Sequence, residues 1–434
     1  IAYLQYRKGG SRARSWYVAS IALFACALAG KLSVATFPAI FLAADLFLEK
    51  RPLAKSIADK IPYLAAGILM ALVVAAAQPE TGARPDPYVL AAALLQNAWL
   101  MTGLGDYVIY RIPPEPQGLL LEAGAVLFLA AVFVTPWLLR KRFPMATMLF
   151  YWILFAFIPT QILSFAYPVS DRYLFFPSVA AVILVAAAVF RLAGRFTKKT
   201  IVPLASLALL AALWVIKTRS YLAEWNDPRS VWYAASLKSA DPLVFYNLGW
   251  QYMDQAARFG DKPRKTPLTP DASMALANSV WKDDQRLQQF LPVLERGEKG
   301  SAVEKEFQQH LRQLSVSSYN EALARKGKHI MPDFFFHRGL LYLDLGNTKE
   351  ARASFLQALE EAGRSGYAEG SREVMVNVHY NLGILSWTEG DYRQALQWMK
   401  LAEDEQVRFG GNWFPDIAVH RSRLEQIIRS LPQQ

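Results

Sequence analysis

The sequence predicts an all-α protein in two parts, a polytopic α-helical membrane domain followed by an α-helical repeat solenoid. Three observations predict it. The first half is almost continuously apolar, in runs of about 15–21 residues. The tetrapeptide Tyr-Asn-Leu-Gly occurs twice in the second half, at 246–249 and 380–383. Charge is also split: up to Ile216 there are 19 Lys and Arg against 9 Asp and Glu, and from Lys217 onward 28 against 27.

Seven apolar segments mark the membrane domain, residues 1–216, at roughly 16–30, 32–48, 61–77, 119–139, 145–163, 173–193 and 201–216. Each is near the length that crosses a hydrocarbon core of about 30 Å. The first two share a break at Gly30-Lys31. They form one bent helix or, as alternation of the loops favours, two. The chain opens on Ile1 with no signal peptide before the first run, which reads as a fragment lacking an N-terminal part.

The short loops orient these segments. Arg7, Lys8, Arg12, Arg14, Lys50, Arg51, Lys55, Lys60, Arg140, Lys141, Arg142, Arg191, Arg195, Lys198 and Lys199 fall on one side. Only Lys31, Arg84, Arg111 and Arg172 fall on the other. An excess of Lys and Arg marks the cytoplasmic side, so residues 217–434 are expected outside, in the periplasm of a bacterial inner membrane. The long outer loop from Gln78 to Gly118 has an apolar, aromatic middle, Tyr88 to Tyr110. It reads as a helix at the membrane interface, a re-entrant segment or an eighth span.

Other classes are excluded. The second half has no basic excess to neutralise phosphates, so it is no nucleic-acid binder. Cys26 is the single cysteine, which rules out an intrachain disulfide or CxxC site. The five histidines, His310, His329, His337, His379 and His420, show no metal-ligand spacing, and no phosphate-cradling glycine loop is present. No metal site is expected.

In the second half, Gly339, Tyr342, Gly346, Ala351, Phe355 and Ala358 fall at positions 8, 11, 15, 20, 24 and 27 counted from Pro332. These offsets resemble the tetratricopeptide repeat (TPR), a helix pair of about 34 residues whose small residues let the two helices pack closely. Leu382, Gly383, Gly390, Ala395 and Ala402 repeat the pattern from Val376. A first copy is split. Leu248, Gly249 and Tyr252 open it, Tyr319, Ala322 and Leu323 close it, and an insertion near 257–301 lies between. About ten extra residues follow Glu361. The last helix, about Asp416 to Ser430, is expected to cap the stack, since terminal repeats need a polar outer face.

Stacked repeats form a concave groove lined by their first helices. Asn247, His337 and Asn381 share one repeat position, two residues before the glycine. A side-chain amide there can bond both N–H and C=O of an extended peptide. Alternatively these side chains serve neighbouring helices. Tyr246, Tyr342 and Tyr380 read as packing residues.

Four patches resemble the polyprenyl-phosphate-sugar-dependent membrane glycosyltransferases of the GT-C class, and most of all the transmembrane and TPR O-mannosyltransferases with their bacterial relatives. Ala29-Gly30-Lys31-Leu32-Ser33 is similar to a small-Ser-Lys-Glu patch between two short spans, with Leu32 where the family has glutamate. Ala44-Asp45-Leu46-Phe47 is similar to a Tyr-Asp-Leu span end. Ser170-Asp171-Arg172-Tyr173-Leu174-Phe175-Phe176-Pro177-Ser178 is similar to an acidic-Arg-x-Leu-Tyr-Leu-Pro-Ser motif, the most specific of the four. Trp225-Asn226-Asp227, Trp232 and Asp241-Pro242 are similar to the juncture between last span and first repeat. The resemblance covers nearly the whole chain, but it puts the family's catalytic acidic residue upstream of Ile1.

The resemblance implies sugar transfer from a polyprenyl-phosphate donor to a hydroxyl of a protein acceptor, with a divalent cation as a cofactor that no convincing carboxylate pair here would hold. Read on their own, Lys31 and Arg172 fall at the outer membrane face, where cations are costly and mark function or a partner. A lipid phosphate is a natural counter-ion for them; interfacial snorkelling or a local Asp171–Arg172 pair is the alternative. Arg111 is a third candidate for the phosphate. Asp106, flanked by glycines, is either an acid–base group or a turn residue. Two other functions remain open: a non-catalytic membrane-anchored TPR scaffold or subunit of a larger membrane complex, and a transporter or polysaccharide-assembly subunit with a repeat arm.

Overall fold

The computed structural model describes residues 1–77, 86–112, 118–162, 167–258, 302–325, 331–364, 369–410 and 414–431. Among these the chain is all-α, with helices, two short 3-10 turns and no strand. Its contacts divide it into two compact units, Ile1–Leu222 and Ala223–Gln434.

The first unit opens with α1 (Ala2–Lys8) and α2 (Ala13–Gly30), joined by a turn in which Gly9 and Gly10 take φ of 76° and 97°. That left-handed backbone is open to glycine at little cost. Lys31 is extended, and the 3-10 turn Leu32–Thr36 leads into α3 (Phe37–Phe47). The Gly30-Lys31 break therefore separates two helices. Then come α4 (Leu53–Ala58), α5 (Ile61–Ala77), α6 (Pro87–Met101), α7 (Leu119–Leu139), α8 (Pro144–Ile162), the 3-10 turn Asp171–Tyr173, α9 (Phe175–Phe196) and α10 (Ile201–Ala223).

Four of these, α2, α7, α9 and α10, are long and apolar enough to cross a membrane. The other three expected segments coincide with shorter apolar helices, 34–47, 61–73 and 144–158. Helix α6 fills the middle of the long loop. Asp86 caps it by accepting from the Tyr88 and Val89 N–H groups at 2.7 and 3.3 Å, as an N-cap carboxylate does. Its 15 residues reach about 22 Å, short of a full crossing. Ala93 and Asn97 are fully buried, and the Asn97 amide donates to the Pro168 carbonyl at 3.2 Å.

Inside this unit α3, α8 and α9 meet in a cluster around Ala43, Phe47, Leu149, Leu154 and Ala180. Pro136 sits within α7 and lacks the N–H that would bond one turn back. Side chains of α8 bond two carbonyls of this part of α7: Thr147 donates to that of Pro136 at 3.1 Å and Tyr151 to that of Phe133 at 2.5 Å.

The second unit contains α11 (Pro228–Ser236), α12 (Pro242–Arg258), α13 (Ala302–Ala324), α14 (Pro332–Asp344), α15 (Thr348–Arg364), α16 (Glu369–Thr388), α17 (Tyr392–Arg408) and α18 (Asp416–Ser430). Asp227 and Asp241 are caps, accepting from the N–H groups of Arg229 and Ser230, and of Leu243. Helices pack as consecutive pairs, α12 with α13, α14 with α15 and α16 with α17, and α18 lies on α17. The expected insertion near 257–301 lies outside the described residues from 259 onward. Two extra turns at the start of α16 take up most of the extra residues after Glu361.

Each pair meets at its position-8 glycine. A Cβ on Gly339 would lie 2.5 Å from the Phe355 ring, on Gly383 2.9 Å from Met399, and on Gly249 3.1 Å from the Tyr319 ring. Phe355 and Met399 both occupy position 24. Tyr319 therefore holds position 24 of the split first repeat, which puts Ser315 and Ala322 at positions 20 and 27. Ser315, in place of the usual alanine, donates to the Gly249 carbonyl at 2.6 Å.

Candidate functional site

The repeats supply the first candidate surface. Asn247 and Asn381 are half-buried on α12 and α16. Each amide donates back to the carbonyl four residues earlier, Leu243 and Asn377, both at 2.7 Å. This local bond holds the side chain against its helix. Neither amide oxygen has a hydrogen-bonded partner among the described residues, so each keeps an acceptor for a peptide N–H.

His337, at the same position of the middle repeat, is used differently. Its Nδ1 is hydrogen-bonded to the Tyr246 hydroxyl at 3.2 Å, and its ring meets Trp250 edge-on at 4.7 Å. Burial pushes its pKa down to about 4, so the ring is neutral at neutral pH. Of the three aligned residues, two thus offer matching amides and the third belongs to the seam between repeats. Tyr246 and Tyr380 share that seam role: Tyr246 stacks on Phe334 at 4.2 Å, and Tyr380 stacks on Phe414 at 5.5 Å with its hydroxyl 3.1 Å from His420.

The predicted phosphate ligands lie in the first unit and differ from one another. Arg111 donates to the Asp171 carboxylate at 3.2 Å and to the Asp106 carbonyl. Its charge is matched within the fold, unlike that of a free phosphate ligand. Tyr221 donates to the other Asp171 oxygen at 2.9 Å. Burial raises the Asp171 carboxyl above the ordinary carboxylate range, with Tyr221 and Arg111 opposing. Asp171 thus chooses Arg111 and Tyr221 over its neighbour Arg172. The Arg172 guanidinium lies over the Tyr173 ring, 5.2 Å from its centre, and forms no ion pair among the described residues. Lys31 is exposed and likewise unpaired there. The two cations precede different helices, α3 and α9, and Phe37 and Phe176 join those helices by an edge-to-face contact at 4.7 Å. Asp106 lies in the irregular stretch after α6, its carboxylate 77% exposed and 3.6 Å from Lys217.

Sequence reasoning missed a second polar centre. Asp45, at the end of α3, is 1% exposed and Lys60 is 2% exposed. Lys60 bonds both Asp45 and the Tyr3 hydroxyl. Tyr3 donates to both Asp45 oxygens at 3.0 Å, and Arg7 and Arg51 each approach Asp45 at 3.4 Å. Arg7 also pairs with Glu49, and Arg51 with Asp59. Three cations thus meet three carboxylates. The signal available was Asp45 itself, an acid inside an apolar run, but only Arg51 is near it in sequence, six residues on, while Lys60 and Tyr3 lie 15 and 42 residues away. Because every charge is matched, this centre works as a clamp joining α1, α3 and the start of α5. Among the described residues no three His, Cys, Asp or Glu side chains converge to hold a metal ion.

Residues 332–363 match the family model described as tetratricopeptide repeat. No curated protein and no solved structure matches the chain.

Proposed function

We propose that this is an integral membrane protein whose tetratricopeptide repeats hold an extended stretch of another polypeptide. The observation that carries this reading is the matched pair Asn247 and Asn381, held in the same way at the same repeat position with their amide oxygens still available. Bonds to a peptide backbone give affinity with little sequence preference. The test uses the full purified chain and a library of unstructured peptides. Asn247→Ala with Asn381→Ala should weaken peptide binding by about tenfold, the loss of two hydrogen bonds of about 0.5–1.5 kcal/mol each. Undiminished binding by a folded double variant would leave the asparagines as structural residues.

A second reading places this docking surface in the service of sugar transfer, as in the GT-C enzymes the sequence resembles, from a polyprenyl-phosphate donor to the docked protein. The observation favouring it is that Arg172 and Lys31 are both without carboxylate partners among the described residues, while neighbouring Arg111 is committed to Asp171. Arg172 and Lys31 would take the donor's phosphate; a divalent cation, if used, would come with the donor. Arg172→Ala should bind a polyprenyl phosphate more weakly than Arg172→Lys, and equal binding by both and by wild type removes the phosphate site. A non-catalytic scaffold within a larger membrane complex needs only the first reading.

Both readings take the repeats to face the periplasm, on the charge bias of the short loops. A cysteine in place of Val419, 63% exposed, in a Cys26→Ser chain tests this. Labelling by a membrane-impermeant reagent in intact spheroplasts supports the orientation, and protection reverses it.

A further inference from the structure

Helices α7 and α8 enclose an open apolar cavity of about 430 Å³, within the range of small-ligand sites. Phe128, Val132, Pro136, Leu139, Phe143 and Phe150 form most of its wall. Of the two threonines there, Thr147 already donates to the Pro136 carbonyl. The cavity therefore offers almost nothing polar to a ligand inside it.

One end is strongly basic. The turn from α7 to α8 carries Arg140, Lys141 and Arg142, and Arg191 comes from α9. Arg142 and Arg191 each lie over the ring of Phe143, at 5.3 and 5.4 Å from its centre. Arg140 lies over Trp137 at 4.2 Å and donates to its carbonyl at 2.6 Å. Among the described residues none of these four cations forms an ion pair. The contrast with Arg7, Arg51 and Lys60, each matched to a carboxylate, is sharp. Both guanidiniums therefore stand at the Phe143 end of the cavity, where an anion would gain charge-assisted bonds.

We propose that this groove binds an anionic phospholipid, its acyl chain along the apolar wall and its headgroup at the Phe143 end, within reach of Arg142 and Arg191. Charge complementarity selects the occupant. A zwitterionic lipid brings the same phosphate together with an ammonium that the basic cluster repels, and an apolar partner helix would make no use of the cations. The inference rests on the membrane reading of this half. It is independent of the peptide groove and of sugar transfer, which stand or fall by their own tests.

The experiment uses the full chain, delipidated in detergent and returned to nanodiscs of phosphatidylcholine with increasing phosphatidylglycerol. Native mass spectrometry then counts retained lipid. Wild type should retain phosphatidylglycerol in preference to phosphatidylcholine. Arg142→Gln with Arg191→Gln should bind it about tenfold more weakly. Ala146→Phe, which fills the cavity and leaves the charges, should lose it to a similar degree. Lys198→Gln with Lys199→Gln, the same charge change away from the groove, should retain it. Equal retention of the two lipids, or equal losses in both charge variants, overturns the proposal. So does displacement by inorganic phosphate alone, which would mark a site for the anion without its tail. A lipid-free dimer that dissociates in Ala146→Phe would show that a second copy covers the groove, and would overturn it too.

Discussion

In the repeat unit Phe334, Phe355, Leu341 and Leu382 are fully buried and the ion pairs lie along the helix surfaces. In the first unit Leu120 and Phe196 are 90% and 87% exposed, while Asp45 and Lys60 are among the most buried side chains. The two units obey the same physics in different solvents. In water, hiding about 25 cal/mol per Å² of apolar surface drives helix pairs together. In lipid, apolar surface costs nothing to expose. Helices there associate through close packing and internal polar contacts, and a charge buried between helices is tolerated when it is matched.

The largest effect should come from unbalancing the buried centre of the first unit. Asp45→Ala leaves Lys60 buried without its counter-charge and should cost about 3–5 kcal/mol. In practice, little monodisperse protein should survive detergent extraction. Asp45→Leu with Lys60→Met removes both charges and should recover most of the yield. If Asp45→Ala alone is tolerated, the contrast between the units fails at its strongest point.

The next effect belongs to the repeat unit and is set by pH. An unfolded His337 takes up a proton near 6.5, but the buried ring resists until about 4. The unfolded state therefore binds more protons between these values. Stability is complete above about 6.5 and falls as pH drops toward 4, by at most about 3 kcal/mol. Hydrogen exchange of the α14 amides, corrected for intrinsic rates, should show protection shrinking from pH 7 to pH 5. His337→Gln should flatten that dependence; an unchanged slope would assign it to other groups.

The smallest effect compares two glycines within the repeats. Gly339→Ala drives a methyl into the rigid Phe355 ring and should cost about 1–3 kcal/mol. Gly383→Ala meets the flexible end of Met399 and should cost less, because a thioether chain can shift rotamer. Thermal unfolding followed by circular dichroism ranks the two. Equal losses would mean that backbone approach, rather than the facing side chain, limits these pairs.

How much was legible in the sequence follows from how far each interaction reaches along the chain. The repeats were legible because Gly339 and Phe355 lie within one helix pair, and the same spacing recurs at Gly383 and Met399. The apolar segments were legible because hydropathy is a property of a single stretch. Even the split repeat could be read at both ends, though only packing against Gly249 put Tyr319 at its exact register. The polar partnerships were not legible. Asp171 sits next to Arg172 yet pairs with Arg111 and Tyr221, 60 and 50 residues away. His337 and Asn381 share a position, but only the neighbouring repeat made one a seam residue and left the other with a spare acceptor.

Taken by itself, the sequence determined the all-α class, the apolar half, the repeat spacing and the charge bias of the loops, since all of these are set by neighbours along the chain. Tertiary structure decided which cations are matched and which stand open: Arg7, Arg51, Lys60 and Arg111 against carboxylates, Arg142, Arg172 and Arg191 over aromatic rings. The reason is physical. A charged side chain pairs with whatever comes within a few ångströms of its tip, and the folded backbone alone brings those groups there.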